Sequence, residues 1–217
     1  MILQLQNAWE QLLQTWGIEQ AEAQMTFSGL VTAYSSPGRV YHTLEHIQDM
    51  LQWIETLRDH AHDLAVLQLS TWFHDSIYDP HATDNEEQSA TYAQNTLSRL
   101  GLPLETIKIV TQMILSTKTH QTAKDEIDGQ ILLDVDLAIL GAPSARYETY
   151  ARAIRQEYSW VTEASYRAAR VQILEAFLQR NRIYWTEPMF VALEVQARKN
   201  IRREISTLSQ VYPEDKV

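Results

Sequence analysis

Tyr41-His42-Thr-Leu-Glu45-His46 sets two imidazoles four residues apart, and Leu69-Ser-Thr-Trp-Phe-His74-Asp75-Ser-Ile-Tyr-Asp79 ends an apolar run on a His-Asp pair. A spacing of four puts His42 and His46 on one helical face, one turn apart. The apolar positions Leu67, Trp72, Phe73 and Ile77 imply a helix packed into the interior, which carries His74 and Asp75 inward with it. A carboxylate there needs a cation, a set of donors or a raised pKa to be tolerable, and a metal ion is one such cation. Adjacent residues are about 100° apart on a helix, so His74 and Asp75 reach one ion only over the seam between them. Asp134 and Asp136 are two apart and point to nearly opposite sides, so at most one of them joins the same centre. Imidazoles with carboxylates form a mixed N/O set suited to Mn, Fe, Co, Ni or Zn rather than to a calcium cage.

The elements that must position these groups all read as helices. Leu3, Leu5, Trp9, Leu12, Leu13 and Trp16 recur near the helical period, and Gly17 stops the first helix. A second runs from Glu19 to Tyr34 and ends in Ser35-Ser-Pro-Gly38. A third starts near Tyr41, with His42, His46, Met50, Trp53, Ile54 and Leu57 along one broad face. The fourth covers Asp63 to Tyr78 with Asp63 as N-cap, and the fifth opens at Asn85 with acids in its first turn and closes at Gly101. The sixth begins near Pro103 and ends near Thr117, followed by a polar stretch to Gly129. Residues 130–140 are apolar apart from the two aspartates and fit a helix or a buried strand; helical surroundings leave a strand no partner, so helix is expected. Three more helices are expected at 143–158, 162–181 and 187–210.

The bulk properties narrow the function classes. The chain has 217 residues, 45% of them hydrophobic and 21% charged, which suits a globular core. It has no cysteine, so no disulfide framework or thiolate site exists and any metal must use His, Asp or Glu. Neither a membrane-spanning run nor a signal-peptide pattern stands out, so a cytoplasmic protein is expected. Residues 1–108 hold 4 Lys/Arg against 14 Asp/Glu, which is the whole net charge of −10, and six of the seven histidines. No basic stripe accompanies this acidity, so non-specific nucleic-acid binding is not expected.

Each feature also has a bland explanation. Interior histidines are more often hydrogen-bonded core residues than ligands, and His60 and His62 are assigned that way. A His-Asp dipeptide occurs by chance, and Asp134 could solvate its helix or form an ion pair. Four acid or imidazole groups on apolar helices together favour a metal site, because each alone is costly to bury. His42-Thr-Leu-Glu45-His46 also fits H-x-x-E-H, an inverted zinc-peptidase pattern with Glu45 as base, but that leaves His74-Asp75 and Asp136 unexplained.

The runs Tyr41 to Ile47, Phe73 to Asp79, Asn85 to Ala90 and Asp134 to Gly141 resemble those of the HD-domain metal-dependent phosphohydrolases, in particular small bacterial proteins described as predicted HD-superfamily phosphohydrolases. The family patterns are Tyr-His-x-x-x-His-Ile, Phe-His-Asp-x-x-Tyr-Asp, Asn-Glu-x-x-Ser-Ala and Asp-x-Asp-Leu-Ala-Ile-Leu-Gly. The resemblance spans roughly residues 25–180 and implies an all-α, multi-helix HD-domain-like bundle, a single domain with a C-terminal helical extension over about 181–210. It implies His46, His74, Asp75 and Asp136 as metal ligands. Distant similarity to cyclic-nucleotide phosphodiesterases, which share a Tyr-His-Asn-x-x-His-Ala run and a later Asp-Leu run, implies His42 as general acid and selects Asp136 over Asp134. Thr43 replaces that Asn, and nothing matches their nucleotide-clamping region, so cyclic-nucleotide activity is not implied.

The implied function is a metal-dependent phosphohydrolase, using one or two divalent ions from Mn, Fe, Co, Ni, Zn or Mg. A metal-activated water attacks a phosphomonoester, phosphodiester or pyrophosphate of a small molecule, nucleotides included. Asp75 is the natural bridging carboxylate if two ions bind. Arg39, Lys118 and His120 are candidates for holding phosphate, with His120 an alternative ligand to a second ion. Glu86 and Glu87 read either as helix-start acids or as helpers of the site, and Arg198-Lys199 with Arg202-Arg203 as a solvated face. A helical binding or regulatory module that keeps the site without turnover is the third reading, and six Trp and ten Tyr allow a homodimer.

Overall fold

The computed structural model describes residues 1–210, and every regular element among them is helical, as expected of an all-α chain. The α-helices are α1 (Ile2–Gln14), α2 (Gln20–Tyr34), α3 (Leu44–Thr56), α4 (Leu64–Phe73), α5 (Asn85–Arg99), α6 (Leu104–Thr117), α7 (Ile127–Asp136), α8 (Ser144–Glu157), α9 (Glu163–Gln179) and α10 (Glu187–Leu208). Short 3-10 turns cover Arg58–His60 and Leu137–Gly141. The run at 130–140 is thus helical, but it tightens after Asp136 rather than continuing as one helix. The chain packs as two compact units, Met1–Asp136 and a second that begins at Leu137.

In the first unit α4 is the central helix, packed on α3, α5, α6 and α7. Asp63 caps it, accepting the backbone N–H of Val66 at 3.0 Å. Every residue from Leu69 to Phe73 is buried, which marks a core helix rather than a half-exposed one. The Trp72 ring meets Trp9 edge-on at 5.5 Å and Phe27 at 6.0 Å, while Phe73 lies 5.9 Å from both Trp9 and Tyr92. Edge-on aromatic pairs contribute about 0.5–1.5 kcal/mol each beyond the area they bury. The Tyr34 hydroxyl donates to the Trp72 carbonyl at 3.0 Å. The end of α4 is therefore fixed by large rigid groups just where His74 follows.

The neighbouring helices are set by local chemistry. Thr43 caps α3, its hydroxyl accepting the Glu45 N–H at 3.3 Å, so the helix starts at Leu44 rather than near Tyr41. Asp128, near the start of α7, accepts the N–H groups of His62 and Asp63 at 2.8 Å each and ties α7 to the start of α4. Gly101 takes φ +76° after α5, and Leu102 N–H closes back on the Leu97 carbonyl at 3.1 Å, a left-handed stop that favours glycine. His60 and His62, expected in the core, are exposed, because the 3-10 turn and the loop after it run over the surface.

In the second unit α10 packs on α9 and on the Leu137–Gly141 turn. A side chain at Gly141 would put its Cβ 2.5 Å from that of Leu193, so only glycine fits there. Buried Asn200 donates to the carbonyls of Leu140 at 2.9 Å and Ala142 at 2.8 Å. Arg198, expected on a solvated face, is instead half-buried: it pairs with Glu194 at 2.6 Å and donates to the carbonyls of Leu178, Arg180 and Asn181 at the end of α9. A long side chain with a planar fork is suited to capping the last carbonyls of a helix.

Replacing Asp63 with Ala removes the cap of α4 and is expected to cost about 1 kcal/mol. Urea unfolding should show it as a lowered midpoint at unchanged slope.

Candidate metal centre

The site lies within the first unit and is built from the ends of helices. His46 is in the first turn of α3, His74 directly follows the last residue of α4, and Asp136 is the last residue of α7. His74 keeps helical dihedrals, φ −56° and ψ −39°, but α4 has already ended at Phe73, so Asp75 is not held on a helical face. The expected arrangement over a helical seam is thus replaced by convergence at a helix end. His42 precedes α3, so it does not share a helical face with His46; its ring stacks on Tyr78 at 4.2 Å and lies 6.1 Å from that of His46.

One ligand atom each of His46, His74 and Asp136 lies within 4.8 Å of the other two. Asp136 Oδ1 is 3.2 Å from His46 Nε2 and 3.7 Å from His74 Nε2, and Asp75 Oδ2 is 3.1 Å from His74 Nε2. Despite these distances both Nε2 atoms are buried without a hydrogen bond. The far side of each ring is engaged: His74 Nδ1 is 2.9 Å from the Thr71 carbonyl, and His46 Nδ1 is 3.1 Å from the Tyr41 hydroxyl. With Nδ1–H donating to the Thr71 carbonyl, Nε2 is the ring nitrogen that faces the carboxylates and the one a ligand would use.

These separations match those around a shared ion. Metal–ligand bonds of about 2.1 Å place neighbouring ligands about 3.0 Å apart in octahedral and about 3.4 Å in tetrahedral geometry. His46, His74 and Asp136 are thus the groups that could hold a divalent ion; Asp75, expected as a fourth ligand, falls outside that group and meets the cluster through His74 Nε2 at 3.1 Å. Without an ion the carboxylates favour a proton on His74, which a bound cation would have to displace. Burial works against protonating His74, but Asp75 and Asp136 outweigh it and raise its pKa to about 9. Burial likewise works against ionising Asp75 and Asp136. The facing imidazoles outweigh it and hold both carboxylates well below the usual range, His74 for Asp75 and chiefly His120 and His46 for Asp136.

Of the other residues singled out in the sequence, His120 joins the cluster: its Nε2 is 3.2 Å from Asp136 Oδ2, the oxygen turned away from His46. It does so from a left-handed backbone, φ +51°, in the loop after α6. Asp134 is fully buried on α7 and falls outside the group formed by Asp136. Lys118, expected to hold phosphate, binds the Thr83 carbonyl at 2.8 Å and pairs with Glu87 at the surface. Arg39, expected in the same role, has its guanidinium directed at backbone carbonyls instead. Sequence reasoning missed Tyr41, Tyr78 and the Thr71 carbonyl as supports of the site. The two tyrosines stand inside the Tyr-His and His-Asp-x-x-Tyr runs and could have been flagged; a backbone carbonyl leaves no signal in residue type. No helix among the described residues is long and apolar enough to cross a membrane. Compared with protein-family models, curated proteins and solved structures, the chain finds no match.

Calorimetric titration of metal-free protein with Mn²⁺, Co²⁺ or Zn²⁺ should show a tight site. His74→Ala and Asp136→Ala should each weaken it by more than about tenfold, whereas His60→Ala leaves it unchanged. Equal affinity in His74→Ala would remove that residue from the site.

Proposed function

We propose that the chain is a metal-dependent phosphohydrolase of the HD-domain kind, acting on a phosphate ester or anhydride of a small molecule, nucleotides included. The observation that carries this reading is the pair of buried imidazole nitrogens of His46 and His74, facing carboxylate oxygens without hydrogen bonds. His46, His74 and Asp136, with Asp75 beside His74, would hold a divalent ion, which would supply water activation and charge neutralisation at the phosphoryl group.

The chain's own residues do the rest. The facing imidazoles hold Asp75 and Asp136 below the usual carboxylate range, which favours their ionised form. His120 holds the second oxygen of Asp136 and limits its rotation. His42, stacked on Tyr78 and near enough to Asp75 to favour that carboxylate's charge, is the proton donor. As the bond from phosphorus to the leaving oxygen breaks, that oxygen takes the His42 proton and water supplies the new oxygen. The first half of the chain, with its excess of ten negative charges, would otherwise repel a phosphate, so cation and substrate binding are coupled. The peptidase reading finds no comparable support: Glu45 is exposed and His42 lies outside the helix that carries His46.

Asp75→Asn, folded as judged by circular dichroism, should lose phosphate release from small phosphoesters entirely; full turnover would sink the assignment. His42→Ala should keep its metal and turn over about 10²–10⁴-fold more slowly, with the smallest loss on esters of acidic leaving groups. Metal loss in that variant would make His42 a ligand. A metal-loaded parent that releases no phosphate across a screen of nucleotides and small phosphoesters would favour the regulatory module.

A further inference from the structure

Arg39 stands in the turn between α2 and α3, where its guanidinium donates to three backbone carbonyls. Nη1 donates to the carbonyls of His42 at 3.0 Å and Asp75 at 2.8 Å, and Nη2 donates to that of Ser76 at 3.1 Å. The same group lies 5.1 Å from the Tyr34 ring centre and 5.4 Å from that of Tyr78. Tyr34 is itself buried and bonded to the Trp72 carbonyl, so one wall of this slot is anchored to α4.

The three carbonyls belong to the two stretches that deliver the site. His42 lies just ahead of α3 and His46, while Asp75 and Ser76 follow the end of α4. A helix end leaves carbonyls without intrahelical partners, and a cationic side chain can satisfy them. A guanidinium does this with donors in fixed directions and so bridges two backbone stretches at a set separation, which a point-like ammonium cannot reproduce.

We propose that Arg39 is a positioning residue of the metal centre: it clamps the backbone ahead of α3 to the backbone after α4, setting His46 against His74-Asp75, and does not hold substrate phosphate. Tyr78 extends the effect, since the ring that Arg39 packs against is the one on which His42 stacks. The consequence for metal and turnover rests on the phosphohydrolase reading above; the clamp itself does not.

The test uses the full chain with Arg39→Lys and Arg39→Ala. Without metal, amide hydrogen exchange over residues 74–78 should quicken by about tenfold or more while α5 and α6 keep their protection. Mn²⁺ affinity should fall by about 10–100-fold, and kcat should fall with little change in KM. Unchanged exchange at 74–78 would overturn the proposal. So would a rise in KM alone with Mn²⁺ affinity intact, the signature of a phosphate-binding arginine. If Arg39→Ala fails to fold, Arg39→Lys, which retains the stem and charge, gives the reading. If the parent binds no Mn²⁺, the metal reading fails while the exchange result still decides the clamp.

Discussion

Two carboxylates and two imidazoles taken out of water in contact with one another set the constraint on which this molecule depends. His46 and His74 are almost fully buried, and the side chains of Asp75 and Asp136 are only 18% and 16% exposed. Each ion withdrawn from water costs several kcal/mol unless compensated. A proton on His74 is the compensation available from the protein alone, and the flanking carboxylates do favour it. It leaves the His46 nitrogen unsatisfied, whereas a divalent ion would satisfy both nitrogens and both carboxylates at once. His46, His74 and Asp136 stand close enough together that they could share such an ion.

Holding such a cluster requires neighbours that do not yield. The aromatic contacts of Trp72 and Phe73 fix the end of α4 from below, and Asp128 fixes the start of α7 against the start of α4. Around the rings, Tyr41 and the Thr71 carbonyl set the orientation of the two histidines, and His120 sets that of Asp136. Rigid helices thus supply position, while helix ends, where the chain is free of the helical repeat, supply convergence.

The helices were legible in the sequence because apolar spacing and stop signals reported them directly: Gly17, Gly101 and Asp63 mark ends at or next to where the chain turns. The family resemblance implied Asp136 rather than Asp134, and the geometry puts Asp136 against both imidazoles. Less legible was where two helices begin and end. Thr43 reads as an ordinary helical residue until its hydroxyl is seen capping α3, and with that cap His42 falls off the predicted face. The cationic residues misled for a shared reason. Residue type announces the charge of Arg39, Lys118 and Arg198 but not that backbone carbonyls lie within reach, because carbonyl positions depend on how distant segments dock.

The end of α4 at Phe73 links the two halves of this picture. On a continuing helix, His74 and Asp75 would diverge by about 100°, and only an ion above their seam could touch both. In the structure the helix stops at Phe73 and the Asp75 carboxylate lies 3.1 Å from the His74 ring. The same departure strands the carbonyls of Asp75 and Ser76, which Arg39 then takes up together with that of His42. Convergence of the ligands and the need for a clamp are two consequences of one local event. A chain in which α4 ran on to Tyr78 would bond those carbonyls within the helix and leave the adjacent pair to meet only over their seam.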